Sequence, residues 1–258
     1  MLFLISQQRS NMENKINNKK PVLEDQVLAI IPARGGSKRL PGKNMLEFGG
    51  KPLIGHTIKA AKNSACVTDI YVSTDCRIIQ EYALSQKVQS PKLRPAELAG
   101  DDISTSEVLI DLLSDFEVLP QTIMVLQPTS PLRSSEDIES AFSLYKSKRA
   151  KNVVSVCEVS HPIQWSGKIG GDLSLNGFLD KNAVTYRSQE LEKYFQLNGA
   201  IYIANTKDFL SHEQLFFNDE SSFAYIMPNR RSVDIDDHID FQLAKVLYEN
   251  MGRNGQDK

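Results

Sequence analysis

Apolar and polar positions along the chain alternate in blocks that predict strands and helices in turn. Residues 27–31 are uniformly apolar, as expected of a strand buried on both faces of a parallel sheet. Apolar residues then recur at helical spacing over 52–62, and a second strand pattern follows at 69–75. Strand, helix and strand in this order predict a parallel crossover unit.

The alternation continues to the end of the chain. We expect further helices near 77–86, 104–115, 136–148 and 238–250, and further strands at 122–127, 153–157, 199–204 and 223–227. Alternating elements of this length favour an α/β fold: a three-layer, doubly wound, mostly parallel sheet with helices on both faces. The predicted domain comprises residues 27–154 and 196–252.

Two segments interrupt this pattern. Residues 1–26 are mostly polar and lack periodicity beyond the first five positions, so we expect a disordered tail, in which Met12 competes with Met1 as the true start. Residues 155–195 hold a stretch rich in Gly, Asn, Ser and Lys with weak periodicity. We interpret that stretch as an excursion from the main sheet.

Composition limits the partners. The 258 residues, 41% of them hydrophobic, suffice for one large α/β domain with a small appendage. A net charge of -2 and a pI near 6.1 favour neither nucleic acid nor an anionic membrane as partner. The three cysteines lack metal or disulfide spacing, and the apolar N-terminal run is too short for a signal or membrane segment. We therefore expect a cytoplasmic protein.

A glycine-rich basic loop follows the first predicted strand. Glycines allow the backbone to approach a ligand closely, and the cations favour an anion with several charges, so the loop predicts a polyphosphate site. The P-loop pattern would need glycine at Ser37 and a hydroxyl residue at Asn44, and the dinucleotide fingerprint fails because Gly35 and Gly36 are adjacent. A solvated basic turn is the less favoured alternative. The loop cations are Arg34, Lys38, Arg39 and Lys43.

Polar side chains also follow the predicted strand at 122–127. Ligands of doubly wound sheets bind outside the carboxyl ends of the strands, so these side chains should join the basic loop at one edge. The segment is also a strand exit punctuated by two prolines, which is the alternative interpretation. The residues concerned are Gln127, Thr129, Ser130 and Arg133.

Asp234 and Asp236 flank Ile235 in a segment predicted to be extended. Period-two geometry places both carboxylates on one face while Ile235 points into the core. Two oxygen ligands beside a polyphosphate suit Mg²⁺, which completes its coordination with water and substrate phosphates. Capping of the last helix by an aspartate is an equally common use of this residue type, and the basic loop favours the metal.

Several ordered motifs resemble the N-acylneuraminate cytidylyltransferases, or CMP-sialic acid synthetases. The resemblance extends from about residue 27 to 250. Its motifs lie at 31–38 (Ile-Pro-Ala-Arg-Gly-Gly-Ser-Lys), 40–44, 72–75, 93–98, 126–133 (Leu-Gln-Pro-Thr-Ser-Pro-Leu-Arg), 198–203 and 234–236.

The resemblance implies a Rossmann-like nucleotidyltransferase that transfers CMP from CTP to the anomeric hydroxyl of a sialic acid and releases pyrophosphate. Arg34, Lys43 and Asp236 would be catalytic, and Asp234 with Asp236 would hold Mg²⁺. The implied substrate-binding residues are Ser37, Lys38 and neighbouring Gly35 for the CTP phosphates; Asn44, Arg94 and Thr105 for ribose and cytosine; and Gln127, Arg187 and Asn198 on the sugar side.

The resemblance also implies a homodimer in which residues 155–195 reach over the partner's active site. Where sialate enzymes carry basic residues for the sugar carboxylate, this chain has Gln164, Ser188 and Gln196, and Arg187 is the nearest substitute. N-acetylneuraminate is the expected acceptor, and legionaminic acid, another nine-carbon acid, is the alternative. A sugar-1-phosphate nucleotidyltransferase is a further alternative, whereas a non-catalytic nucleotide-binding module would not need the aspartate pair.

Overall fold

The structure is a computed structural model that describes residues 20–179 and 191–254. Eight strands form within these residues, six of them in one sheet. They are β1 (Val22–Pro32), β2 (Glu47–Phe48), β3 (Lys51–Pro52), β4 (Asp69–Ser73), β5 (Leu119–Val125), β6 (Asn152–Glu158), β7 (Phe195–Asn205) and β8 (Ser222–Ile226).

The six-stranded sheet has the order β4-β1-β5-β7-β6-β8. β1 lies parallel to both β4 and β5, and β6 lies parallel to β8. β7 runs antiparallel to both of its neighbours, β5 and β6. The expected mostly parallel sheet is thus confirmed, with one reversed strand in its centre.

Helices cover both faces of this sheet. Successive residues of β1 belong to two separate apolar clusters, with Ala29 and Ile31 in one and Leu28 and Ile30 in the other, as the period of two requires for a strand buried on both faces. The three-layer expectation is therefore correct. The helices are α1 (Leu53–Lys62), α2 (Arg77–Ser85), α3 (Thr105–Ser114), α4 (Ser135–Ser147), α5 (Thr206–His212) and α6 (His238–Asn254).

Helix starts follow the capping chemistry of the sequence. Ser104 and Glu107 form a capping box at α3, and Ser134 with Asp137 forms another at α4. The short helix α5, which the periodicity does not predict, begins after Asn205, whose side chain accepts hydrogen bonds from two backbone N–H groups. Across the part of the chain that the structure describes, no helix is both long and apolar enough to span a membrane.

The expected tail boundary is wrong for residues 22–26, which form the first half of β1. Val22 pairs with Leu119, and the register shifts before Val27 pairs with Thr122. Asp25 has a φ of 62° at this irregularity. Ladder pairing holds Val22 and Leu23, and hydrogen bonds to the side chains of Gln121 and Asp69 hold Asp25 and Gln26. Most side chains of this segment stay exposed and supply no burial signal. The rest of the expected tail, residues 1–19, lies outside the described residues.

The expected excursion at 155–195 is shorter in the structure. β6 continues to Glu158 and β7 begins at Phe195, so both ends of the expected range belong to strands of the main sheet. Between them the described residues contain only a 3-10 turn at Ile163–Trp165 besides loops, and residues 180–190 lie outside the described range.

Candidate active site

The basic loop is tied to the turn after β4. Gly35 donates its N–H to Asp75 Oδ1 at 2.8 Å. A Cβ on Gly35 would lie 2.7 Å from Cys76 Cβ, so only glycine permits this approach. At the far end of the loop, Asn44 donates from Nδ2 to the carbonyl oxygen of Arg34 at 2.9 Å. These contacts give the loop a fixed shape beside the carboxyl end of β1.

Two of the loop cations pair with Asp101, a residue that sequence reasoning missed. Arg34 Nη1 lies 2.6 Å and Lys38 Nζ 2.5 Å from its carboxylate oxygens. Hydrogen bonds from Lys38 and then Arg34 lower the pKa of Asp101, and the same contact with Asp101 raises the pKa of Lys38. All three side chains are open to solvent, so an anion can compete with Asp101 for these cations.

The other two loop cations pair with Asp236. Arg39 Nη2 lies 2.8 Å from Asp236 Oδ2, and Lys43 Nζ lies 3.3 Å from Oδ1. Lys43 also donates to the carbonyl oxygen of Ile235 at 2.8 Å, and its side chain is only 15% exposed. Lys43 is therefore fixed between the loop and the predicted carboxylate pair.

A cavity of about 290 Å³ joins the loop to the ends of β1 and β5. It brings together eight of the residues predicted to act: Arg34, Lys43, Asn44, Arg94, Thr105, Gln127, Asp234 and Asp236. Gly35, Ser37 and Lys38 lie on the adjoining loop without lining the cavity, and Arg187 lies outside the described residues. Larger cavities among the described residues, of about 560, 430 and 370 Å³, are lined by other side chains.

The aspartate pair has the predicted geometry without a strand to impose it. Ile235 is completely buried, and its N–H donates to the carbonyl oxygen of Thr129 at 2.8 Å. Asp234 and Asp236 both face the cavity. Asp234 is exposed at the surface of the cavity, yet neighbouring protein atoms partly desolvate its carboxylate. This desolvation raises the pKa of Asp234, and the charge of Asp236 adds to the effect.

The pair fits a magnesium ion. Magnesium usually binds one or two protein carboxylates and completes its octahedron with water and substrate phosphates. No group of three or more His, Cys, Asp or Glu side chains suited to a metal occurs in residues 20–179 and 191–254. A metal held here would take two carboxylates from the protein. A divalent cation would also relieve the repulsion between Asp234 and Asp236.

Arg94 lines the cavity but is already held by the protein. Its Nη2 donates to Ser73 O at 2.7 Å and its Nε to Ser73 Oγ at 3.2 Å. Nη1 reaches Leu98 O at 3.5 Å. Burial lowers the pKa of Arg94. The guanidinium therefore shapes the cavity wall between β4 and the turn at Ala96–Leu98.

Asn198 is not brought into the cavity. Its Oδ1 accepts from Ser155 Oγ at 2.6 Å, and its Nδ2 donates to Ser232 Oγ at 2.9 Å. The side chain is 4% exposed and is satisfied inside the protein. Its contacts join β6 and β7 to the segment that leads to Asp234, which gives Asn198 a positioning role.

Gly199 brings the backbone of β7 against the polar side chains of the cavity. It has a φ of 71°, and a Cβ there would lie 2.9 Å from Gln127 Oε1 and 3.5 Å from Asp234 Oδ2. The sequence analysis placed Gly199 in a predicted strand and assigned it no part in the site. A glycine at the start of an otherwise apolar strand was the signal for such a close approach.

The fold and the cavity together define a class. A three-layer α/β domain with a basic loop after its first strand, and with carboxylates opposite that loop, has the parts of a nucleotidyltransferase. The chain belongs to the cytidylyltransferase family, which it matches over residues 28–252.

Relatives support this membership. A CMP-N,N'-diacetyllegionaminic acid synthase from Legionella pneumophila is 39% identical over 233 residues, which cover 87% of this chain and 97% of that protein. An N-acylneuraminate cytidylyltransferase from Streptococcus agalactiae serotype V is 41% identical over 223 residues, 83% of this chain. The match spans 51% of the streptococcal protein, so this chain corresponds to about half of its length.

A solved structure supports the fold. A CMP:2-keto-3-deoxy-manno-octonic acid synthetase complexed with CTP superposes with a TM-score of 0.64 at 18% identity. The alignment covers 88% of this chain and 99% of that one. The likeness shows the fold, a Rossmann-like α/β architecture.

Proposed function

We propose that this enzyme transfers CMP from CTP to the anomeric hydroxyl of a nine-carbon sialic acid and releases pyrophosphate. The cavity that joins the basic loop to Asp234 and Asp236 is the observation that carries this proposal. Relatives named for CMP-legionaminate and N-acylneuraminate synthesis support it. In this reaction the anomeric oxygen attacks the α-phosphorus of CTP as the bond to pyrophosphate breaks.

The basic loop would hold the triphosphate. Arg34 and Lys43 line the cavity, with Ser37, Lys38 and the Gly35 backbone on the adjoining loop. Phosphate oxygens would replace the Asp101 carboxylate at Arg34 and Lys38. Placing these cations around the α- and β-phosphates stabilises the charge that develops during in-line transfer.

The opposite wall would take the nucleoside. Asn44, Arg94 and Thr105 surround this part of the cavity. Because Arg94 is already bonded to Ser73 and Leu98, we assign it the shaping of the cytosine pocket. Asn44 Oδ1 has no partner among the described residues and offers an acceptor on this side.

Asp234 and Asp236 would hold Mg²⁺. The ion would neutralise the triphosphate and orient it. In that state Asp236 would exchange Arg39 and Lys43 for the metal, which frees Lys43 for a phosphate oxygen. A hydroxide held near Asp236, formed from a bound water, is our candidate for the general base: it would accept the proton of the anomeric hydroxyl and become water.

Gln127 would contact the sugar acid from the end of β5, and Asn198 would support it through the β7 backbone. Arg187, outside the described residues, would bind the sugar carboxylate. N-acetylneuraminate is the proposed acceptor. Legionaminate is a second candidate because the Legionella relative matches along 97% of its own length.

The assembly we propose is a cytoplasmic homodimer. Apolar side chains in the excursion are exposed, among them Ile169 at 56%, Leu173 at 78% and Leu175 at 67%. An apolar surface of this kind suits a second copy of the chain. The excursion would then reach over the partner's cavity and contribute to its sugar site.

The reaction is tested by pyrophosphate release with CTP and Mg²⁺ against N-acetylneuraminic, legionaminic and 3-deoxy-manno-octulosonic acids, with product mass read in parallel. Turnover of a nine-carbon acid to its CMP derivative is the expected result. A panel without turnover, or turnover only of a sugar 1-phosphate included as a control, would refute the proposal.

A further inference from the structure

A second cavity among the described residues lies apart from the nucleotide site. It measures about 560 Å³, is open to solvent on one side and is bordered by α1, the entry to α4 and α6. It shares no lining residue with the cavity at the ends of β1 and β5. Its lining includes Lys51, His56, Lys59, Leu132, Arg133, Lys245, Tyr248, Glu249 and Met251.

The walls of this second cavity carry an excess of positive charge. Lys51, Lys59 and Lys245 line it, and Glu249 is the acidic residue among the lining side chains. None of the three lysines forms an ion pair with a carboxylate in the described part of the chain. Partial burial, followed by repulsion from Lys59, lowers the pKa of Lys51, as expected where like charges converge.

A buried guanidinium adds to this charge. Arg133 is 3% exposed, and its Nε and Nη2 have no hydrogen-bond partner among the described residues. Its Nη1 donates hydrogen bonds to the carbonyl oxygens of Gln127 and Ala200, at 3.1 and 2.8 Å. The nearby carboxylate of Asp137 is occupied by Arg231, at 2.7 and 2.8 Å. Buried donors without partners are rare in folded proteins, and they favour a bound acceptor.

The remaining wall is apolar and aromatic. Tyr248 packs edge-on against His56 with ring centroids 5.2 Å apart, and Leu132 and Met251 complete this side. His56 Nε2 lies 2.6 Å from Phe48 O, and this hydrogen bond leaves that nitrogen unavailable to a ligand. A ligand that satisfies both walls carries a compact anion on an apolar or ring-shaped body.

We propose that this cavity is a second binding site, for a small organic phosphate monoester. Three lysines and Arg133 suit a dianion better than a carboxylate, and the volume admits one ring with its phosphate. Arg133 links the two sites, because the same side chain holds the carbonyl oxygen of Gln127. An occupant of the second cavity can thereby influence the sugar end of the active site.

The test uses phenyl phosphate as the probe and measures its Kd by isothermal titration calorimetry. Lys43→Ala serves as background, since it weakens anion binding in the nucleotide site. We expect phenyl phosphate to bind this variant, and the further change Lys59→Glu with Lys245→Glu to weaken that binding about tenfold or more. Benzoate should bind more weakly than phenyl phosphate.

The matched control reverses the charge of two exposed lysines outside the cavity, Lys146→Glu with Lys207→Glu. It should leave the Kd for phenyl phosphate unchanged. In an otherwise wild-type chain, the Lys59 and Lys245 reversals should leave turnover without added phenyl phosphate unchanged. The proposal is overturned if the Lys43→Ala variant does not bind the probe, or if both pairs of reversals weaken binding equally. Benzoate binding as tight as phenyl phosphate would overturn the dianion assignment.

Discussion

Replacing Gly199 by alanine tests the link between the backbone of β7 and the sugar end of the active site. The left-handed φ of 71° costs an L-residue roughly 1–2 kcal/mol of folding stability. For a domain of this size the loss corresponds to a fall in Tm of roughly 2–8 °C. The new Cβ would also lie 2.9 Å from Gln127 Oε1, so this flexible amide must move.

The displaced amide should impair catalysis in a selective way. Loss of one hydrogen bond from Gln127 to the sugar acid is worth about 0.5–1.5 kcal/mol, which lowers kcat/KM for that substrate roughly 2- to 10-fold. The KM for CTP should stay near its wild-type value. Thermal unfolding and pyrophosphate-release kinetics, with each substrate varied in turn, measure the two effects separately.

Gly50→Ala is the matched control. Gly50 has a φ of 81° between β2 and β3, and an added Cβ would meet no atom within 4 Å. This variant should lose comparable stability and retain wild-type kinetics. If Gly199→Ala shows the same kinetics as Gly50→Ala, then the contact between Gly199 and Gln127 does not govern the sugar site, and the reasoning is refuted.

Other substitutions probe the charges of the site and the core. Lys43→Ala should lower kcat/KM for CTP about 10²- to 10³-fold without unfolding the protein, as checked by steady-state kinetics and circular dichroism. Asp236→Asn should weaken Mg²⁺ binding in calorimetry and reduce turnover, and undiminished turnover would exclude its proposed role. Asp101→Asn should lower the KM for CTP because its two cations become free, and a raised KM would contradict this competition. Arg231→Leu should cost about 3 kcal/mol in urea unfolding at neutral pH, since the buried Asp137 carboxylate loses its cationic partner and keeps only neutral donors. Because the pKa of Asp137 is lowered in the folded state, this loss should shrink as the pH falls and Asp137 takes up a proton.

Local pattern predicted most of the fold. Uniform apolar runs identified β1 and β5, and the period of two correctly placed Ile235 inward with its flanking aspartates facing the cavity. These features depend on the sequence near each element. The strand at 22–26 was missed because ladder pairing at Val22 and Leu23, with hydrogen bonds at Asp25 and Gln26, holds it rather than side-chain burial. The reversed direction of β7 was missed because a strand has the same alternation in either direction.

The sequence predicted which residues belong to the candidate site, but it did not predict which of them contact one another. The basic loop and the aspartate pair were predicted because charge was concentrated at strand ends. The pairing of Asp101 with Arg34 and Lys38 was not, because it joins segments more than 60 positions apart and no local pattern encodes it. Asn198 was assigned to the substrate side from a motif, whereas its burial and hydrogen bonds make it a support for that wall.

The reversal of β7 determines where variation in this enzyme can occur. Because β7 runs antiparallel to β6, Glu158 and Phe195 pair at the same edge of the sheet, so a connection between these two strand ends needs no crossover. A parallel β7 would have required a crossover to the opposite edge. The intervening segment can therefore change in length and composition while the nucleotide-holding strands keep their register. Under the proposed function, acceptor preference is then set in a segment that can vary without disturbing the strands beside the nucleotide cavity.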